Sequence, residues 1–181
     1  MGTIEVITGP MYAGKTSMLI SKLVRAIYGK KNVKLFTKDE RYDIATTHDG
    51  RKMNSCKVDD ALAIMCCDLT DVHVVGIDEG QFFGPRLAYV CLKLQELGIE
   101  RIMVAGLDLD SSERPFENMS ELLSLADSVE KLNAGCFECG KPATRTFRKV
   151  NNTDRFLQGS NDYYEALCRR CFLDKNKKGG E

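Results

Sequence analysis

Residues Gly9 to Thr16 read GPMYAGKT, and this segment constrains the fold more than any other in the chain. It follows a β-branched run, Ile4 to Thr8, and precedes residues in which Met18, Leu19, Leu23, Ala26 and Ile27 recur at helical spacing as far as Gly29. A strand, a glycine loop and a helix in that order turn successive backbone N–H groups toward one point. The partial positive charge of the helix N-terminus falls on the same point, which therefore suits phosphate oxygens. Gly9, Pro10, Met11, Tyr12, Ala13 and Gly14 are the expected cradle. Lys15 is expected on the β- and γ-phosphates of ATP, and Thr16 supplies a hydroxyl for Mg²⁺.

The rest of the first 132 residues repeats the alternation of apolar runs and helical periods. Val33 to Thr37, Val72 to Asp78, Ile102 to Leu107 and Ser128 to Leu132 read as strands. The second and third are nearly continuous apolar runs that end in acid, as central parallel strands do. Helices are expected over Thr16 to Tyr28, Val58 to Cys66, from Pro85 to Gly98 and over Ser120 to Ala126. Residues 39 to 55 are polar without a clear period and read as a long loop. The pattern predicts an α/β domain over 1–132, a P-loop NTPase-like parallel sheet flanked by helices.

A phosphate loop of this kind works with an acid at the end of a neighbouring strand. VVGIDEGQFF supplies Asp78 there as the expected magnesium partner. Glu79 follows directly and is placed to take a proton from an attacking hydroxyl or water. Asp108, at the end of VAGLD, is the alternative magnesium acid.

After Asn133 the composition changes. Cys136-x2-Cys139 and Cys168-x2-Cys171 are separated by 28 residues. Four thiolates in two knuckles match a closed tetrahedral zinc site, which is structural rather than catalytic because no coordination position stays open. A zinc-ribbon-like domain is expected over 133–175, with 176–181 as a disordered tail. Cys56, Cys66, Cys67 and Cys91 lie in apolar or helical contexts and read as small buried hydrophobes. The 26 basic and 26 acidic residues cancel, which gives no electrostatic drive toward nucleic acid or anionic membrane. No apolar run approaches the length of a membrane span, and the N-terminus lacks a signal peptide, so a cytoplasmic location is expected.

GPMYAGKT, IDEGQFF, GLDLD with RPF, and CFEC with CRRC preceded by GSNDYY occur in the order and spacing found in type II thymidine kinases, the cytosolic, bacterial and poxviral branch. The chain resembles that family over nearly its whole length. The resemblance implies transfer of the γ-phosphoryl group of ATP to the 5′-hydroxyl of thymidine, and of deoxyuridine, giving dTMP in nucleotide salvage. It implies Glu79 as catalytic base, Lys15 and Thr16 as phosphate and magnesium residues, and Asp78 and Gln81 in the nucleotide-binding stretch. Asp39 and Arg41 match a segment that approaches the phosphates, with Arg41 neutralising charge during transfer. Arg155, Phe156, Leu157, Gln158 and Gly159 match the lasso, a loop whose backbone hydrogen-bonds the base and which is expected to be mobile when empty. Tyr164 matches the pocket tyrosine, and Met11, Phe82, Leu107 and Phe116 match its apolar walls. A homotetramer, with dTTP as feedback inhibitor, is implied in the same way.

Two departures from the family pattern stand out. Ser111 and Ser112 follow GLDLD where the family usually has phenylalanine and a polar or basic residue, which implies a roomier base pocket. Arg155 occupies a lasso position that is usually apolar. A different reading takes TRTFRK and the neighbouring CRRC as an aromatic and basic surface, making the protein a zinc-ribbon ATPase that acts on nucleic acid.

Overall fold

The computed structural model describes residues 2–38, 54–150 and 162–178. Six strands form one parallel sheet: β1 (Thr3–Thr8), β2 (Val33–Thr37), β3 (Asn54–Lys57), β4 (Val74–Ile77), β5 (Arg101–Gly106) and β6 (Ser128–Lys131). Their spatial order is β3-β2-β4-β5-β1-β6. Val6 sits beside Val104 on one side and Val129 on the other.

Alternation along the strands buries both faces. Ile7, Leu35, Met103 and Ala105 face helix α1 (Lys15–Tyr28), meeting Leu19 and Leu23. Their neighbours Val6, Phe36, Ile102 and Val104 point the other way. That second face is covered by α2 (Ala61–Ile64), α3 (Leu87–Glu96) and α4 (Glu117–Leu125), with Ile64, Leu87, Leu94 and Leu122 in the contact. The expected α/β sheet with flanking helices is therefore present.

One strand was not expected. β3 begins at Asn54, inside the stretch read as loop, and among the described residues pairs only with β2, at the edge of the described sheet. Its sequence, NSCK, carries no apolar alternation because an edge strand can be held by the backbone ladder alone.

Beyond β6, four short strands and a helix form a separate small unit. β7 (Ala134–Gly135) pairs with β8 (Pro142–Ala143), and β9 (Arg145–Arg148) with β10 (Tyr164–Leu167), both antiparallel. Helix α5 (Arg169–Lys178) closes it. Residues 176–178, read from the sequence as part of a disordered tail, continue this helix. Lys175 anchors it through Glu138 and Glu165 at 2.7 and 2.6 Å, and basic side chains at a helix C-terminus complement its dipole.

Of the scattered cysteines, Cys91 is the expected buried hydrophobe, its thiol pushed up to about 12 by burial. Cys66 is exposed, while Cys56 and Cys67 are half-buried. No helix among the described residues is long and apolar enough to cross a membrane.

Candidate active site

Because the sheet is parallel, all its strands end on one edge. Thr8, Thr37, Asp78, Gln81, Asp108, Asp110, Asn118 and Thr146 are the buried polar or charged residues among those described. All of them lie at that edge or against it. Buried polar groups gathered this way mark a site rather than a core.

The loop after β1 is shaped by its ends. Gly9 has φ 140°, and a Cβ there would collide with the Leu132 carbonyl oxygen. Gly14 (φ 81°) turns the chain into α1, and Tyr12 also takes a left-handed conformation, φ 66°. A non-glycine residue held there is strained, as loops that grip ligands often are. Lys15 Nζ donates to the Pro10 carbonyl at 2.8 Å. Burial lowers the Lys15 pKa, opposed by the charges of Glu79, Asp78 and Asp108. The Thr16 hydroxyl lies 2.9 and 3.1 Å from the two oxygens of Asp78, a carboxylate only 2% exposed. A hydroxyl beside a carboxylate is an oxygen donor set that fits magnesium.

After Asp78 the chain bends sharply. Glu79 has φ 58° and leads into a 3-10 turn, Gly80–Phe82. The turn is pressed on the sheet, because Gly80 has space for no side chain beside Val104 and Met119. Asn118 Nδ2 donates to the Gly80 carbonyl at 2.9 Å. Gln81 spans two strand ends: its Oε1 accepts from the Leu107 N–H at 2.9 Å, and its Nε2 donates to Glu79 Oε2 at 2.5 Å. Of the two phenylalanines that follow, Phe83 is core and Phe82 is 39% exposed. The alternative magnesium acid, Asp108, is ion-paired with Lys131 at 2.6 Å. That lysine occupies the carboxylate, whereas the Asp78 carboxylate faces Thr16.

Residues 108–116 form a turn organised by Asp110. Its Oδ1 accepts from the N–H groups of Ser112 and Arg114, both at 2.9 Å, and its Oδ2 from Arg114 Nε at 2.9 Å. Glu113 has φ 59° and holds Arg145 of β9 at 2.5 Å. Ser111 and Ser112 thus sit in a turn tied to the small unit.

That unit also touches the phosphate loop itself. The Met11 N–H donates to Thr146 Oγ1 at 3.0 Å, and Tyr12 Oη to the Tyr164 carbonyl at 3.4 Å. The Tyr12 and Phe137 rings lie 5.9 Å apart. Arg148 extends over the Tyr164 ring, 5.5 Å from its centroid, and donates to the Tyr164 hydroxyl at 3.2 Å. Thr146 escaped the sequence reading, since nothing local announces a contact across 135 residues. TRTFRK is therefore largely engaged within the fold: Arg145 and Arg148 are held as described, Phe147 packs edge-on against Phe172, and Lys149 is exposed.

Cys136, Cys139, Cys168 and Cys171 bring their sulfurs within 4.8 Å of one another. The Cys139–Cys168 separation is 3.7 Å, close to the ~3.8 Å edge of a tetrahedron with zinc–sulfur bonds of about 2.3 Å. Burial alone would raise the Cys136 thiol, but the backbone N–H groups of Cys168, Cys139 and Glu138 outweigh it and bring it to about 6. The Cys171 thiol is pushed up to about 12, first by its hydrogen bond to Cys168 and then by burial. Four such sulfurs cannot ionise together unless a cation shares their charge. The cluster fits zinc.

The thymidine kinase family model matches residues 2–172. The chain belongs to the thymidine kinase family. It is similar to the thymidine kinase of Bdellovibrio bacteriovorus, at 41% identity over 175 residues, 94% of this chain and 85% of that protein. It is also similar to that of Bacteroides thetaiotaomicron (39% over 184 residues, 99% and 92%). The thymidine kinase of Deinococcus radiodurans is 41% identical over 188 residues, covering 93% and 88%.

In this thymidine kinase family chain, the residues expected to act split into two groups. Gly9 to Thr16, Asp78, Glu79 and Gln81 converge on the sheet edge. Tyr164 is buried at the far side of the phosphate loop. Leu107 follows β5 in the Gln81 bridge, Phe116 is 4% exposed ahead of α4, and Met11 is half-buried. Asp39, Arg41 and the segment Arg155, Phe156, Leu157, Gln158 and Gly159 lie outside the described residues.

Proposed function

We propose that the protein transfers the γ-phosphoryl group of ATP to the 5′-hydroxyl of thymidine, and of deoxyuridine, yielding dTMP for nucleotide salvage. Family membership supports the kinase and its nucleoside. The observation that carries the mechanism is the convergence of Lys15, Thr16, Asp78 and Glu79 on one edge of the sheet. Backbone N–H groups from Gly9 to Gly14 and the Lys15 ammonium stabilise the charge that spreads over the phosphoryl oxygens. Thr16 and Asp78 hold magnesium, whose charge offsets that of the phosphates. Glu79 accepts the 5′-hydroxyl proton while that oxygen bonds to the γ-phosphorus. The bond to the β,γ-bridging oxygen breaks, and its electron pair leaves with ADP. Arg41 neutralises charge in the same step.

On the nucleoside side, Met11, Phe82, Leu107, Phe116 and Tyr164 form the apolar walls, and the backbone of 155–159 reads the base. A structural zinc held by the four cysteines fixes this second wall. The homotetramer, feedback inhibition by dTTP and the cytoplasmic location belong to the same proposal. The test is transfer of labelled γ-phosphate from Mg-ATP to a panel of nucleosides, with zinc measured on the same sample. Labelled dTMP and dUMP are expected. ATP turnover stimulated by single-stranded DNA and not by thymidine would overturn the reading.

A further inference from the structure

The sulfurs of Cys56 and Cys67 are 3.8 Å apart, in van der Waals contact. Cys56 lies on β3, the outermost of the described strands at its end of the sheet, and Cys67 in the turn that follows α2. There the Cys67 thiol donates to the Ala63 carbonyl at 3.4 Å. Both side chains are half-buried, so a small solute reaches them. Neither takes part in the phosphate site or the four-cysteine cluster.

We propose that Cys56 and Cys67 are a reversible redox pair, a modification site that a hydroperoxide converts into an intramolecular disulfide. The thiolate of one cysteine attacks a peroxide oxygen, the O–O bond breaks, and the sulfur becomes a sulfenic acid while water or an alcohol departs. The second sulfur then attacks the sulfenic sulfur and displaces hydroxide, which leaves as water with the proton of the second thiol. Two thiols lose two electrons in all, and the peroxide gains them. The second step needs a neighbouring sulfur, and closing from 3.8 Å to the ~2.05 Å of a disulfide is a small movement for an edge strand and a turn. The short chain between the two residues keeps the sulfurs together.

Zinc-loaded protein exposed to hydrogen peroxide, blocked with N-ethylmaleimide and digested with trypsin tests this directly. Lys57 separates the two cysteines onto different peptides. The expected product is one cross-linked pair of those peptides, from a chain that remains a single unit on a non-reducing gel. Dithiothreitol should restore both thiols, and no zinc should be released. Cys66→Ser should keep the cross-link, and Cys67→Ser should abolish it. A link through Cys66, a link between chains, or oxidation that begins only after zinc is lost would overturn the proposal. So would Cys56 and Cys67 that stay unlinked while exposed Cys66 is oxidised.

Discussion

Below the phosphate loop lies a sheet whose Ile7, Phe36, Val75 and Val104 have no measurable exposure; beyond it lies a unit whose core is three alanines with Cys136, Leu167 and Phe172. Burying a large apolar side chain contributes about 1.5–3 kcal/mol, and an alanine far less. The sheet therefore holds its edge by hydrophobic burial on two faces, while the small unit has little such core and gathers four sulfurs in a cluster that fits one zinc ion. Both grip the same loop. The sheet fixes Gly9 through Leu132 and Thr16 through Asp78, and the small unit fixes Met11 and Tyr12 through Thr146 and Tyr164. Two supports with different chemistry can be removed one at a time.

If the chemistry resides on the sheet side, Glu79→Gln should lower kcat by about 10²–10⁴-fold with little change in thermal stability or in KM for ATP. Steady-state kinetics and a melting curve check this, and an unchanged kcat would move the base elsewhere. Stripping zinc with a chelator should speed amide exchange in residues 134–148 and 162–172 by ~100-fold or more. Strands β1, β4 and β5 should keep their protection; if they lose it, the two supports are one cooperative unit.

A finer cut is Thr146→Val, which keeps the shape and leaves the Met11 N–H without its acceptor. The expected cost is about 1 kcal/mol, read as a roughly five-fold rise in KM for ATP, with Thr146→Ser restoring the wild-type value. The smallest effect concerns the Asp110 turn between the two regions. Burial would raise that carboxyl, but the Arg114 and Ser112 N–H groups, then the Arg114 side chain, hold it below the usual carboxylate range. Its stabilisation is present above the unfolded value of about 3.9 and is lost as pH falls through the lower folded one. Melting curves in acid should thus fall more steeply for the wild type than for Asp110→Asn.

The sheet side was the more legible of the two. GPMYAGKT, the apolar run into Asp78 and the helix after Lys15 each declare themselves within a few residues, because burial on both faces forces composition. β3 was illegible because NSCK buries too little to leave a pattern. The knuckles were legible as spacing, but not their place against the loop. The Met11–Thr146 bond and the Glu113–Arg145 ion pair join residues that only the folded chain brings together. Asp108 shows the same limit from the other direction. Like Asp78 it follows the end of a central strand, and only the folded chain shows that Asp78 faces Thr16 while Asp108 pairs with Lys131.

The bridge made by Gln81 has a further consequence. The Leu107 N–H can only donate, so it fixes which end of the amide is oxygen and leaves an NH₂ group aimed at Glu79. At that end the amide can donate to Glu79 and cannot accept from it. Under the proposed function, the carboxylate that takes the substrate proton is thus held opposite a donor whose orientation is set from the neighbouring strand end. The placement of the proposed base then depends on the direction of a single side-chain amide.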